Sequence, residues 1–307
     1  MQTIQEVAIL GAGAMGAFFA GKLFDNGFST RLIARGNRLE RLQNEGVIIN
    51  EKPYKIPVID PASAAFPVDL VIVAVKNHHL PEAVEELGNL VGDSTTIISV
   101  MNGLESEEYL GSRFGMEKVL YAVSVGIDAL REGNRITYTK PGKHYFGEAD
   151  NTRPGQKVMR VQEAFAKAAI PYETPRDMMR IMWWKFMINV GMNQASTVMG
   201  APYGVFQTSR DAGQLMEALM HEVIAVANAG AIELTQNDLD EWIGVLQGLS
   251  PQGKTSMLQD MEAGRKTEVE VFGKKVVELG KHYSLPTPVN RTVLQIIRVL
   301  EQNCREA

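Results

Sequence analysis

The chain has 307 residues, which at about 150 residues per domain predicts roughly two domains and allows more than one sizeable core. Apolar residues make up 45% and charged residues 22%, an ordinary globular balance that excludes wholesale disorder. The formal charge of -5, from 31 basic and 36 acidic side chains, argues against a nucleic-acid binder held by bulk charge. In chain order, Glu6 stands where a signal peptide would carry positive charge, and Gly11, Gly13 and Gly16 break the apolar stretch behind it, so no leader is expected. No apolar run approaches the length of about 18 residues that a membrane span needs.

The first half alternates between two periodicities. Val7 to Leu10 reads as a short strand and Ala14 to Asn26 as a helix closed by Gly27. Thr30 to Ala34 is a second strand, followed by a helix near Asn37 to Asn44 that ends at Gly46. Val47 to Ile49 and Lys55 to Val58 suggest a hairpin or short meander. Asp69 to Val75 is apolar on consecutive positions, as in a strand buried on both faces. Pro81 to Leu90 reads as helix, with proline at its start. Thr95 to Met101 and Val119 to Val125 read as further buried strands. Ile136 to Thr139 and His144 to Phe146 suggest a hairpin around Pro141-Gly142.

Strands alternating with helices imply a parallel α/β sheet. After Pro175 the strand pattern stops, and helices are predicted over 177–200, 209–230, 236–248, 255–264, 268–283 and 288–303. The expected division is 1–175, a Rossmann-type dinucleotide-binding domain, and 176–307, an all-α domain.

Gly11-Ala12-Gly13-Ala14-Met15-Gly16 is a GxGxxG that follows an apolar strand and opens a helix, the setting the motif's mechanism requires. Gly11 allows the turn, Gly13 leaves room for a pyrophosphate, and Gly16 lets helix and strand pack closely. The helix N-terminus then offers free N–H groups to phosphate. The ribose-contacting end of the second strand reads Leu32-Ile33-Ala34-Arg35, with arginine where an NAD-preferring site carries an acid. Arg35 suits a 2′-phosphate, which favours NADPH. Lys76 and Asn102-Gly103 follow buried strands and would sit at carboxyl ends, where open α/β sheets bind ligands.

Lys185, Asn189 and Asn193 are spaced i, i+4, i+8 within an apolar stretch containing Trp183-Trp184, so they share one helix face. A desolvated lysine there suits proton transfer near neutral pH. From spacing alone, a solvent-facing polar stripe fits as well. Ser256 with Gln259, and Thr267 with Glu270, have capping-box spacing, and a helix start at Ser256 could hold a carboxylate. His78-His79 lacks a spaced carboxylate to complete a metal site, so no metal is expected. The lone cysteine, Cys304, rules out an intramolecular disulfide and fits a reducing cytoplasm.

Taken together and in order, these signals resemble the ketopantoate reductase family (2-dehydropantoate 2-reductases). The resemblance rests on the glycine loop, Asn102-Gly103, Lys185-x-x-x-Asn189-x-x-x-Asn193, Ser256-Met257-Leu258-Gln259-Asp260 and Thr267-Glu268, and covers almost the whole chain. It implies an all-α C-terminal domain like that of 6-phosphogluconate dehydrogenase and NADPH as cofactor. The implied reaction is hydride transfer to the ketone carbon of a 2-oxo acid, with pantoate as the product in pantothenate and coenzyme A biosynthesis.

By the same resemblance Lys185 is the general acid and Glu268 lies at cofactor and substrate. Asn189, Asn193 and Ser256 bind substrate, and Asn102 sits near the nicotinamide ribose and the substrate. Gly11, Ala12, Gly13, Ala14, Met15 and Gly16 contact the pyrophosphate, and Ala129 aligns with a backbone contact to the cofactor. One family asparagine, ten residues after Asn193, is Tyr203 here, which bears on which 2-oxo acid fits. Another carbonyl or imine as substrate, or a non-catalytic NADPH sensor, are the competing readings. The apolar helical half suggests a homodimer, with no nucleic-acid or membrane partner.

Overall fold

The computed structural model describes residues 3–63 and 66–306. The chain forms two compact units, Met1–Ile181 and Met182–Ala307.

In chain order the first unit contains β1 (Glu6–Leu10), α1 (Ala14–Asp25), β2 (Ser29–Ile33), α2 (Gly36–Glu45), β3 (Val47–Ile49), β4 (Lys52–Tyr54) and β5 (Val58–Ile59). These are followed by β6 (Leu70–Val73), α3 (Leu80–Glu85), β7 (Thr96–Ser99), α4 (Ser106–Phe114) and β8 (Val119–Ile127). The unit continues with β9 (Leu130–Glu132), β10 (Arg135–Thr137), β11 (Pro141–Gly147), α5 (Gln156–Lys167) and β12 (Tyr172–Glu173). The main sheet has eight strands in the order β12-β11-β8-β7-β6-β1-β2-β5, and a smaller sheet has four, β4-β3-β10-β9. From β5 to β8 all neighbours in the main sheet are parallel.

The consecutive apolar residues of β1 and β6 are explained by period-2 geometry. Val7, Ile9, Leu70 and Ile72 enter a core with α1 and α5 on one face. Ala8, Leu10, Val71 and Val73 enter a second core with α3 and α4 on the other. A strand buried on both faces has no polar side to show.

Two expected pairings differ. Ile136 to Thr139 and His144 to Phe146 do not form a hairpin with each other. Instead β10 pairs with β9 and β3, and β11 runs antiparallel to β8. β8 is nine residues long but meets β7 only at Val119 and Leu120, so its remaining backbone groups need another partner. The partner of β3 is β4 rather than Lys55 to Val58. Asn50 and Glu51 both adopt positive φ, 45° and 64°, giving a tight two-residue turn, while Val58–Ile59 joins β2. The helix α4 and the edge strand β12 had no counterpart in the sequence reading.

The second unit is helical: most of α6 (Met178–Ile188), a π-helical turn at Asn189–Asn193, α7 (Gln194–Met199), α8 (Tyr203–Thr208), α9 (Arg210–Ala229), α10 (Gln236–Gln247) and α11 (Ser256–Glu262). It ends with a second π turn at Glu270–Lys274, α12 (Lys275–His282) and α13 (Pro288–Glu306). Neither expected capping box forms. Thr255, not Ser256, caps α11, its side chain accepting from the Leu258 amide. Thr267 donates its N–H and hydroxyl to Glu301 at 2.7 and 2.6 Å, and Glu270 pairs with Arg298 at 2.8 Å.

Candidate active site

In the first unit, parallel strands bring distant residues to one edge. β1 lies between β2 and β6, so chain connections leave it in opposite directions, the switch point where open sheets bind ligands. Gly11–Gly16 follows β1, Arg35 follows β2, Lys76 follows β6, Asn102 follows β7 and Ala129 follows β8. The first four positions therefore lie at carboxyl ends of parallel strands, whereas Ala129 follows the stretch of β8 that leaves β7 after Leu120 and runs antiparallel to β11.

The three glycines do different work. Gly11 has φ +106°, and a Cβ there would stand 2.5 Å from the Ala74 carbonyl oxygen. A Cβ on Gly16 would fall 1.7 Å from the Gly11 oxygen, so the first turn of α1 closes on the loop after β1 only with glycine. A Cβ on Gly13 would come no nearer to its neighbours than 4.0 Å, which leaves open space above the loop. Gly13 is also the N-cap of α1, and the first turn contains no acid. The amides of Ala14, Met15 and Gly16 thus face the loop side with the positive end of the helix behind them. This cradle fits a dinucleotide pyrophosphate.

Arg35 is exposed, in extended conformation at the N-cap of α2. Burial raises the Glu86 carboxyl, while Arg35 and Arg38 pull it back down, so Arg35 has an acidic neighbour. Arg131 of β9 is lowered by burial and by the cations Arg38 and Arg41. These arginines form a positive group beside the end of β2. Sequence reasoning missed Arg131 because it lies far along the chain on a short strand without a motif. Lys76 begins a 3-10 turn, and the next residue, Asn77, donates to the Asn102 carbonyl at 2.8 Å, tying the loops after β6 and β7 together. Gly103 (φ +104°) lets the second loop bend.

Behind the Asn102 loop lies a buried polar chain. Ser99 and Ser106 hydroxyls are 2.7 Å apart, and Ser106 donates to Glu107 at 2.7 Å. Glu107 is only 1% exposed, and burial pushes its carboxyl up to about 7.

In the second unit, Lys185 is partly buried between Trp184 and Phe186 on α6. Burial pushes its ammonium down to about 8. Four α-helical residues turn about 400°, placing Asn189 roughly 40° past Lys185. The next four lie in the π turn, where i→i+5 bonding puts more residues in each turn. Asn193 therefore rotates back toward the Lys185 line, and the three side chains align better than a plain helix would allow. Asn189 and Asn193 are both buried.

Ser256 is exposed in the first turn of α11, which packs on α7 and the first π turn. The Thr255–Ser196 hydroxyl contact at 3.3 Å joins α11 to α7. Glu268 is buried just ahead of the second π turn, which packs against the first. The helical unit thus gathers Lys185, Asn189, Asn193, Ser256 and Glu268 around its two π turns. Tyr203 begins α8, its N–H bonded to the Gly253 carbonyl at 2.9 Å, and burial raises its phenol. It therefore borders the loop leading to Ser256.

The His78 and His79 rings are 4.1 Å apart, and no group of three or more metal-ligating side chains occurs among the described residues. Trp183 packs edge-on against Phe186, and Trp184 donates to the Asp238 carbonyl at 3.3 Å, so both tryptophans are packing residues.

The fold and the carboxyl-edge cradle define a two-unit protein of the dinucleotide-binding class. Residues 7–151 match the family described as Ketopantoate reductase PanE/ApbA, and residues 177–301 match its C-terminal part. A 2-dehydropantoate 2-reductase of Archaeoglobus fulgidus is 26% identical over 97% of this chain and 98% of its own. A PanE/ApbA family ketopantoate reductase structure from Ralstonia eutropha JMP134 is 25% identical, with TM-score 0.87 over 98% of this chain and 100% of that one. A D-mandelate dehydrogenase, solved with NADH and anilino(oxo)acetate, shares the fold at TM-score 0.88 and 20% identity, over 98% of this chain and 100% of its own. The chain belongs to the ketopantoate reductase family and is an oxidoreductase acting on a CH–OH group.

Proposed function

We propose that this chain reduces a 2-oxo acid with NADPH, and that 2-dehydropantoate, giving pantoate for pantothenate and coenzyme A synthesis, is the substrate to test first. The observation that carries the reading is Lys185: a lysine held near pKa 8 by burial, in line with two buried asparagines, in a chain with a pyrophosphate cradle. The names of relatives such as the Archaeoglobus fulgidus enzyme support the substrate.

The residues that would hold the cofactor are Gly11, Ala12, Gly13, Ala14, Met15 and Gly16 at the pyrophosphate, Lys76 and Asn102 along the same sheet edge, and Ala129 beyond the end of β8. Arg35, with Arg38 and Arg131 nearby, supports the 2′-phosphate of NADPH over NADH. When bound, the nicotinamide supplies the hydride. Lys185 stabilises negative charge growing on the ketone oxygen and hands it the Nζ proton. Asn189, Asn193, Ser256 and Asn102 orient the substrate by hydrogen bonds. Glu268 bonds substrate hydroxyls.

The test is NADPH oxidation followed by absorbance, with 2-dehydropantoate, a panel of other 2-oxo acids, and NADH for comparison. NADPH-selective turnover of 2-dehydropantoate is expected. Cofactor binding without turnover of any panel member would leave a non-catalytic NADPH-binding protein.

Tyr203 favours a second reading, a reductase of the same kind acting on a different 2-oxo acid. Its bulk replaces a family asparagine beside the loop leading to Ser256. Turnover of another panel member, with 2-dehydropantoate inert, would select it.

A further inference from the structure

Gln194 is the first residue of α7, directly after the first π turn, and its side chain is 0% exposed. Its Nε2 donates to the Val190 carbonyl and to Asn290 Oδ1, both at 2.9 Å. In an α-helix the Val190 carbonyl would accept from the amide four residues on, and π pairing moves that bond one residue further. The glutamine side chain reaches back to this carbonyl. Asn290 carries the connection onward, donating to Glu222 at 2.8 Å and to the Leu219 carbonyl at 3.2 Å. Glu222 in turn accepts from the Val289 and Asn290 amides at 2.8 and 2.9 Å. The first π turn is thereby bonded through α13 to α9.

The other end of the same amide points elsewhere. Gln194 Oε1 is buried and has no hydrogen-bond partner among the described residues. It lies against Gly273 in the second π turn, where a Cβ would come within 2.3 Å of it. One side chain therefore holds a carbonyl of the first π turn and sits flush against the glycine of the second. The first turn carries Asn189 and Asn193. The second follows Glu268, whose carbonyl accepts the Val271 and Phe272 amides at 3.0 and 3.1 Å.

We propose that Gln194 is a positioning residue that clamps the two π turns together and so sets the register of the Lys185–Asn189–Asn193 face against Glu268. It acts through those residues and rests on the reading that they handle the substrate. An apolar side chain of the same length would remove the unsatisfied oxygen but would leave the buried Asn290 Oδ1 without its donor and take the side-chain bond from the Val190 carbonyl. Its donors are what the position uses.

Two variants test the clamp. Gln194→Met keeps the volume and removes both donated bonds. Gly273→Ala keeps the donors and drives a methyl group into the amide oxygen. In each, kcat/KM for the 2-oxo acid should fall at least tenfold, mainly through KM. NADPH Kd, read by fluorescence titration, should stay within about twofold, because the cradle lies in the other unit. Variants that lose thermal stability but keep wild-type KM would reduce Gln194 to a structural role and overturn the proposal.

Amide hydrogen exchange of the wild-type protein covers the case in which both variants fail to fold. Residues 190–194 and 271–274 should open together, and independent opening would overturn the clamp. Exchange needs no substrate, so it judges the clamp even if no 2-oxo acid is turned over, which would count against the functional reading instead.

Discussion

Lys185 couples burial to chemistry in a single side chain. In the proposed reaction its ammonium is the proton donor, so activity would belong to the protonated form. Since burial places its pKa near 8, kcat/KM should hold below that pH and fall as pH rises through it. Lys185→Ala should lower kcat by roughly 10²- to 10⁴-fold and abolish the alkaline limb while sparing NADPH binding. A variant turning over at wild-type rate would remove the lysine from the mechanism.

Glu107 gives a separate pH effect, on stability. Its folded pKa, about 7, lies above the ordinary 4.5, so its contribution is fully present below pH 4.5 and is lost as pH rises through 7. The linked loss is on the order of 3 kcal/mol. A glutamine side chain cannot ionise, so the stability gap between Glu107→Gln and wild type should widen in favour of the variant from pH 5 to pH 8. Parallel denaturation curves across that range would mean that Glu107 stays ionised throughout.

The unit of strand β1, glycine loop and helix α1 separates two roles that the motif blends. Gly16 has backbone where a Cβ would go, whereas Gly13 has open space. Gly16→Ala should therefore destabilise the fold, by about 1–3 kcal/mol if the overpacking is partly relaxed. Gly13→Val should leave the melting temperature nearly unchanged and weaken NADPH binding at least tenfold. Equal effects on stability would contradict the close approach of Gly16 to the Gly11 backbone.

This element was legible in the sequence because each of its residues satisfies a local rule. The same holds for β6, whose apolar run follows from its two covered faces. The π turns left no such mark, because Asn189–Asn193 carries the same residues an α-helix would. The turn at Asn50-Glu51 was hidden because glutamate is not a residue that usually takes positive φ. In the site, the Lys185 spacing was readable, but its alignment depends on a change of helix type. Arg131 reaches the end of β2 only through the pairing of the small sheet. The cap of α11 was misread by one residue because Thr255 and Ser256 are chemically alike.

At the scale of the whole molecule, two compact units divide the labour. The α/β unit holds the dinucleotide cradle and the helical unit holds the lysine face. A ligand that binds only the native protein stabilises it by about 2.7 kcal/mol at a hundred times its Kd, so saturating NADPH should raise the melting temperature by several degrees. Scanning calorimetry with and without NADPH checks this, and an unchanged transition would argue against the cradle's assignment.

The borders of the sheets also bear on how copies of the protein tolerate each other at high concentration. The main sheet ends on β5 and β12, each two residues long. The small sheet ends on β4, which contains Pro53, and on β9, which contains Arg131 and Glu132. An approaching strand would find few open backbone groups, one missing N–H and two charges. At these four border strands, then, strand addition meets short, proline-containing or charged edges.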